Sequence, residues 1–104
     1  MPVCEHQRTV LSDDERQQIL HDTIDWYGMT HQVDMAIEEM AELTQAFCKI
    51  KQAWSKEAFA NILEEIADVQ IMLDQMRLIY GQTAEIETAK LARLQRRIQD
   101  EQES

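Results

Sequence analysis

Two segments of the chain, IEEMAEL at residues 37–43 and LEEIADV at residues 63–69, share one pattern of residue types. In each, an apolar residue is followed by two glutamates, an apolar residue, an alanine, an acid and a final apolar residue. The two segments start 26 residues apart. Their apolar residues recur at the spacing of an amphipathic helix, so each copy places acids beside a helix face that is suited to burial.

The rest of the composition favours an all-α protein. Among 104 residues there are two glycines and a single proline at position 2, so no proline interrupts a helix further along the chain. Capping residues and glycines predict four helices: Ser12 to about Tyr27, Met29 or Thr30 to about Gln52, Ser55 to about Tyr80, and Thr83 to about Asp100. We expect a four-helix antiparallel bundle that forms a single domain over residues 1–104, with segments 1–11 and 101–104 loose.

Apolar residues at helical spacing mark a stripe on each of the two middle helices. On the second helix the stripe consists of Val33, Ala36, Ile37, Met40, Leu43, Thr44, Phe47 and Ile50. On the third it consists of Phe59, Ile62, Leu63, Ile66, Val69, Leu73, Met76 and Tyr80. We expect the two stripes to form the core of the bundle.

Four of the acids occupy matching positions beside these stripes. At about 100° per residue, Glu39 and Glu42 lie along one edge of the second helix's stripe. Glu65 and Asp68 lie along the same edge of the third helix's stripe, whereas the first glutamate of each segment points to solvent. If the two helices are antiparallel neighbours, the four carboxylates meet, repel one another and need a cation. Oxygen ligands alone suit Mg²⁺, with Mn²⁺ as a substitute.

Charge and cysteine content narrow the partners and the location. A formal net charge of −10 argues against binding nucleic acid through phosphate contacts. The two cysteines have no metal-type spacing and form no disulfide framework. The start of the chain has no basic segment followed by an apolar run, and no apolar stretch reaches the ~18 residues of a membrane span. We therefore expect a cytoplasmic protein with no nucleic acid or membrane partner.

Three stretches of the chain match one family. The pair EEMAEL and EEIADV fits an ExxE…ExxD signature, WYGMTHQVDMAIEEMAEL is similar to the lead-in to its first motif, and KLARLQRRI is similar to a basic fourth helix. Over residues 26–98 the chain thus resembles the MazG-like all-α nucleoside triphosphate pyrophosphohydrolases, a superfamily that includes dimeric dUTPases and dCTP pyrophosphatases. The short phage and bacterial members carry the similar basic helix.

The resemblance implies an enzyme, a hydrolase that cleaves a nucleoside triphosphate between the α- and β-phosphates. It implies that Glu39, Glu42, Glu65 and Asp68 bind Mg²⁺ and act as the catalytic residues, one of them accepting a proton from the attacking water. It also implies a homodimer or homotetramer. The alternative is a non-catalytic module, either an acidic helical interaction protein or a nucleotide-binding protein.

Further residues are candidates for holding the substrate. Lys90 and Arg93 share one strip of the fourth helix and are placed to bind phosphate, and Lys49 is a weaker candidate; a solvated basic face is the alternative. Gln32 has an amide that can both donate to and accept from a base edge, although a plain buried glutamine has the same pattern. Trp26 either stacks on a base or packs the first helix.

Overall fold

The computed structural model describes residues 10–104, which form four α-helices and no strand. The helices are α1 (Asp13–Tyr27), α2 (Met29–Gln52), α3 (Lys56–Tyr80) and α4 (Ala84–Glu103). The prediction of an all-α fold with four helices is confirmed, and the first three helices have the predicted boundaries. Helix α4 continues to Glu103, so three of the four residues expected to form a loose C-terminal segment are helical. Most of the segment expected to be loose at the start, residues 1–9, lies outside the described part of the chain.

Local side-chain and backbone chemistry fixes where the first three helices start and stop. The Ser12 hydroxyl accepts the Glu15 N–H at 3.1 Å, and the Glu15 carboxylate accepts the Ser12 N–H at 3.0 Å, which is a capping box. The Ser55 hydroxyl accepts the Ala58 N–H at 3.0 Å and caps α3. Gly28 and Gly81 follow α1 and α3 with φ of 92° and 136°, a region that side chains disfavour.

Helices α2 and α3 pack along each other and form the centre of the fold. Gln32 donates from Nε2 to Gln75 Oε1 at 2.8 Å, and Glu39 lies beside Glu65, so paired residues run in opposite order along the two helices. Small side chains occupy the contact: Ala36, Ala46 and Ala58 are all buried. Small residues at a helix–helix contact allow the two axes to approach closely.

The predicted core stripes are only partly buried. Ala36 and Val69 are buried as expected. Seven large members are between 43% and 74% exposed, and for them the prediction is wrong: Ile37, Met40, Phe47, Phe59, Leu63, Ile66 and Tyr80. The contact between α2 and α3 is formed instead by the alanines and by polar residues on the adjacent side of each helix, including Gln32 and Gln75. Most of the large apolar residues are consequently left on the surface of the single chain.

Helix α1 packs on α2 and α3, whereas α4 does not. Leu20 of α1 is buried, and Arg16 forms an ion pair with Asp74 of α3. Within residues 10–104, α4 packs against none of the other helices, and it has no buried residue. The radius of gyration of 17.9 Å exceeds the ~13 Å expected for a compact domain of this length. Helices α1, α2 and α3 therefore pack together, and α4 extends away from them.

One arginine, Arg77, links α4 and the segment before it to α3. Arg77 Nε donates to Thr83 Oγ1 at 2.9 Å, and Arg77 Nη1 donates to Asp74 Oδ1 at 2.9 Å. The Arg77 guanidinium also lies 4.0 Å from the Glu87 carboxylate on the first turn of α4. Thr83 was predicted to cap α4, and it precedes the helix, but its side chain makes no capping bond; its hydroxyl donates to Glu87 instead.

No helix in the described part of the chain is long and apolar enough to cross a membrane.

The capping bond of Ser55 gives a prediction about stability. Replacing Ser55 with alanine removes the acceptor of the Ala58 N–H, and we expect the free energy of unfolding to fall by about 1 kcal/mol. Ser55→Asp keeps an acceptor at the same position and serves as the control, with stability close to that of the unmodified protein. Urea unfolding at fixed protein concentration measures both. Equal destabilisation by the two substitutions would contradict a capping role.

Candidate metal centre

Three carboxylates converge between α2 and α3. Glu39 and Glu42 lie one turn apart on α2, and Glu65 reaches them from α3. One oxygen from each of the three lies within 4.8 Å of the other two. Ligands on opposite sides of a divalent ion with metal–oxygen bonds of 2.1–2.4 Å are about 4.2–4.8 Å apart. The three residues, called the acidic triad below, therefore have the separation of ligands around one cation.

The triad contains two carboxylate oxygens with no donor. Oε2 of Glu39 and Oε2 of Glu65 are both buried, and neither has a hydrogen-bond partner. Within residues 10–104, no lysine or arginine forms an ion pair with a triad carboxylate. Leaving buried carboxylate oxygens without a donor or a counter-charge is costly. The charged forms of Glu39 and Glu65 are thus unfavourable unless a positive group lies beside them.

The surroundings disfavour the charged form of two of these acids. Burial is the main cause that raises the pKa of Glu39 from its ordinary value of 4.5, and repulsion from Glu42, Asp68 and Glu65 adds to it. Burial also raises the pKa of Glu65 most strongly, followed by the nearby Glu42 and Asp68 carboxylates. A divalent cation in contact with the triad would reverse both effects, because it favours the charged form.

The positions of the acids differ in part from those expected. Glu39 and Glu65 are half-buried within the α2–α3 contact rather than along the edge of an apolar core. Glu42 and Asp68 are exposed at its rim. Asp68 lies outside the 4.8 Å group, although its charge raises the pKa of both inner glutamates. Three of the four predicted ligands therefore converge, and the fourth stands beside them. The first glutamates of the two segments, Glu38 and Glu64, are exposed as predicted.

Gln32 lies at the end of the α2–α3 contact near the start of α2, about 10 Å along the helix from Glu39. Only 4% of it is exposed, and both ends of its amide have partners. Nε2 donates to Gln75, and Oε1 lies 2.7 Å from Nδ1 of His31. The His31 ring stacks on Tyr27 with ring centres 5.1 Å apart. The alternative of a buried structural glutamine describes this geometry better than a free base-reading amide.

The other predicted substrate-binding residues are scattered. Trp26 is 83% exposed at the end of α1 and does not pack the first helix. Lys49 lines a cavity of about 350 Å³ near the α2–α3 connection, together with Ser55, Glu57 and Asn61. Lys90 and Arg93 are exposed on α4, away from the helix pair that carries the triad. Among these three cations, Lys49 alone shares a helix with a triad acid.

Sequence reasoning missed two polar residues of α3 that bear on the site. Asn61 lies four residues before Glu65, hence one turn away on the same helix, and lines the cavity with Lys49. Gln75 is 2% exposed and binds Gln32. Both lie on the same face of α3 as Glu65 and Asp68. Extending the acidic edge of that helix in both directions would have identified them.

Comparison of the chain with protein-family models, with curated proteins and with solved structures gives no match. The MazG-like resemblance therefore stays a prediction from the sequence motifs.

The raised pKa values predict how stability depends on pH. Because Glu39 and Glu65 have higher pKa values in the folded state than in the unfolded chain, the folded protein binds more protons than the unfolded one between those values. In metal-free protein, the contribution of these two groups to the free energy of unfolding should be fully present below pH 4.5. It should be lost as the pH rises through their raised pKa values. Glu39→Gln should weaken this pH dependence and raise Tm at pH 8 by several degrees in EDTA.

The exposed neighbour provides the matched control for this measurement. Glu38→Gln removes the same charge outside the triad, so its Tm should follow the pH dependence of the unmodified protein. Differential scanning calorimetry across the pH range compares the three proteins. Parallel curves for Glu39→Gln and the unmodified protein would contradict the burial of repelling carboxylates.

Proposed function

We propose that this protein is a Mg²⁺-dependent nucleoside triphosphate pyrophosphohydrolase, which releases a nucleoside monophosphate and pyrophosphate. The observation that carries the proposal is the convergence of Glu39, Glu42 and Glu65, with two buried oxygens that lack any donor. The ExxE…ExxD motif supplies the reaction type, since the converging acids are three of the four that the motif predicts as metal ligands.

The chemistry of the triad supports Mg²⁺ as the cation, with Mn²⁺ as a substitute. All the donor atoms are carboxylate oxygens, which hard divalent ions prefer over softer metals. Glu39 and Glu65 would hold the ion from two different helices, and Glu42 would complete a three-sided set. Asp68, whose charge acts on both inner glutamates, would bind the ion through a water. Three protein ligands leave open positions for phosphate oxygens and water.

The roles of the chain's own residues follow from their positions. When bound, Mg²⁺ would neutralise phosphate charge and lower the pKa of a coordinated water. The triad would hold that water next to carboxylates, one of which accepts its proton. Burial of Glu39 and Glu65 keeps bulk water from the inner oxygens and strengthens their attraction to a cation.

The cavity beside Lys49 is the best place for the far phosphates. It is about 350 Å³ in volume, and Asn61, which lines it, lies one turn from Glu65. Lys49 would supply the charge and Asn61 a neutral donor for phosphate oxygens. Lys90 and Arg93 lie on α4, away from the helix pair that carries the triad, and have no part in this phosphate site. The exposed apolar side chains of α2, α3 and α4 support a homo-oligomer, a dimer or tetramer in which a second copy completes an antiparallel four-helix bundle, and we propose that it acts on the cytoplasmic nucleotide pool.

A second candidate function is a non-catalytic helical module. The exposure of large apolar side chains on α2, α3 and α4 favours it, because such surfaces mark sites of protein association. In that case the triad would bind a cation, or a cation with a nucleotide, without turnover.

The experiment that tests the proposal is pyrophosphate release from a panel of ribo- and deoxynucleoside triphosphates with Mg²⁺. We expect Glu39→Gln and Glu65→Gln each to lower kcat/KM by about 100-fold or more, because loss of a metal's supporting group already costs 10–100-fold. Glu38→Gln and Glu64→Gln, which change the exposed neighbours on the same two helices, should stay near the original activity. Circular dichroism confirms that all four variants are folded.

Calorimetric titration with Mg²⁺ and nucleotide distinguishes the enzyme from the non-catalytic module. Metal-dependent nucleotide binding without pyrophosphate release would favour the nucleotide-binding module. No turnover, together with a Mg²⁺ affinity that Glu39→Gln leaves unchanged, would overturn both the enzyme and the metal centre.

A further inference from the structure

We propose that α4 of one copy of this chain packs against an apolar face of α2 and α3 in a second copy, and that the second copy returns the contact. The apolar face consists of three residues on each helix: Ile37, Met40 and Phe47 of α2, and Phe59, Leu63 and Ile66 of α3. The α4 stripe consists of Leu91, Leu94 and Ile98. The inference is independent of the proposed function, because it uses no residue of the acidic triad.

The apolar face is one continuous surface without a partner in the single chain. Its six side chains are 43–59% exposed. On each helix the three residues lie within about 80° of one another and on the same side of the interhelical contact. On both helices the three residues are rotated away from the interhelical contact in the same sense. Because paired residues run in opposite order along α2 and α3, this rotation brings both sets to the same side of the helix pair. Glu42 and Asp68 have the opposite offset, so the face and the mouth of the triad lie on opposite sides.

Helix α4 also has an apolar stripe that is not covered by the rest of the described chain. Leu91, Leu94 and Ile98 lie within about 60° on one side of the helix, and each is 44–64% exposed. Most helical stability in proteins comes from packing of an apolar side rather than from helix propensity. The described chain contains no surface against which α4 packs.

Arg77 disfavours the simplest alternative, in which α4 folds back on its own chain. Its guanidinium donates to Asp74 on α3 and to Thr83 in the connection, and it lies 4.0 Å from the Glu87 carboxylate on α4. Asp74 is held in turn by Arg16 of α1. The bond to Thr83 joins the start of α4 to α3, and folding back would break it and move Glu87 away from the guanidinium.

The two surfaces match in length and area. A helix of 20 residues is about 30 Å long, which fits along the ~36 Å of α2 or α3. With about 200 Å² for a fully exposed large apolar side chain, face and stripe together expose on the order of 900 Å² in each copy. That is close to the ~800 Å² per partner of a typical stable interface.

Charge and symmetry point to a second copy as the occupant. Segment 90–97 carries four of the chain's ten basic residues and none of its twenty acids, so the remainder of the chain is strongly acidic. Placing this basic segment on the acidic helix pair of another copy reduces the repulsion between two chains of charge −10. If both copies exchange α4, every apolar surface named here is covered and the assembly closes as a two-fold dimer.

The experiment measures oligomeric state with full-length protein over a range of micromolar concentrations, by sedimentation equilibrium. We expect twice the chain mass of 12.2 kDa for the unmodified protein. Leu94→Asp in the stripe and Phe59→Asp in the face should each raise the dimer dissociation constant at least ~10-fold, because each would bury a charge without a partner. Ala89→Asp introduces the same charge on the opposite, exposed side of α4 and should leave the dimer intact. Far-UV circular dichroism confirms that the variants remain helical.

Several results would overturn the inference. A monomeric unmodified protein would assign the apolar face to a different partner. Dissociation by Phe59→Asp alone would mean that the face pairs with the same face of another copy. Dissociation by Leu94→Asp alone would mean that α4 pairs with α4. Dissociation by Ala89→Asp to the same extent as by Leu94→Asp would mean that the stripe has no specific role. None of these outcomes depends on whether the protein hydrolyses nucleotides.

Discussion

Repulsion among carboxylates confined between two closely packed helices is the constraint that organises this protein. The alanines of the α2–α3 contact bring the helices together and leave Glu39 and Glu65 half-buried, each with an oxygen that no donor reaches. A chain folding for stability alone would place leucine or isoleucine there, since unpaired buried charge is destabilising. Retaining acids at the centre of this contact is a cost that binding of a cation would offset, because ligand binding to the folded state stabilises it.

The helix boundaries and the meeting of the acids were predictable because they depend on local rules. Ser12, Ser55, Gly28 and Gly81 act on neighbouring backbone groups, so their effects can be read from sequence spacing. The convergence of Glu39 with Glu65 needed only the angle per residue and a short connection. The contact face was not predictable in the same way. Hydrophobicity favoured Ile37, Met40 and Phe59, but closeness of approach selected Ala36, Ala46 and Ala58, and periodicity does not weigh size against hydrophobicity.

The α2–α3 pair therefore divides its surroundings into two sides with different chemistry. One side carries the mouth of the acidic triad and the cavity beside Lys49. The other exposes large apolar side chains that the single chain leaves uncovered. Separating the two would allow association and chemistry to use the same pair of helices without competing for surface. The apolar stripes have the composition of a core, although the single chain leaves most of their large residues exposed.

The buried amide pair of Gln32 and Gln75 has a consequence for the triad, although neither residue touches it. The bond of 2.8 Å joins α2 to α3 within a contact made mainly of alanines, which fill little volume and interlock weakly. A slip of one helical turn between the helices would separate the two amides and leave both buried without partners, which costs more than the lost bond. The same slip would carry Glu65 about 5.4 Å past Glu39. The amide pair thus fixes the register of the two helices at the acidic triad, about two turns away, much as a single buried asparagine fixes the register of a coiled coil.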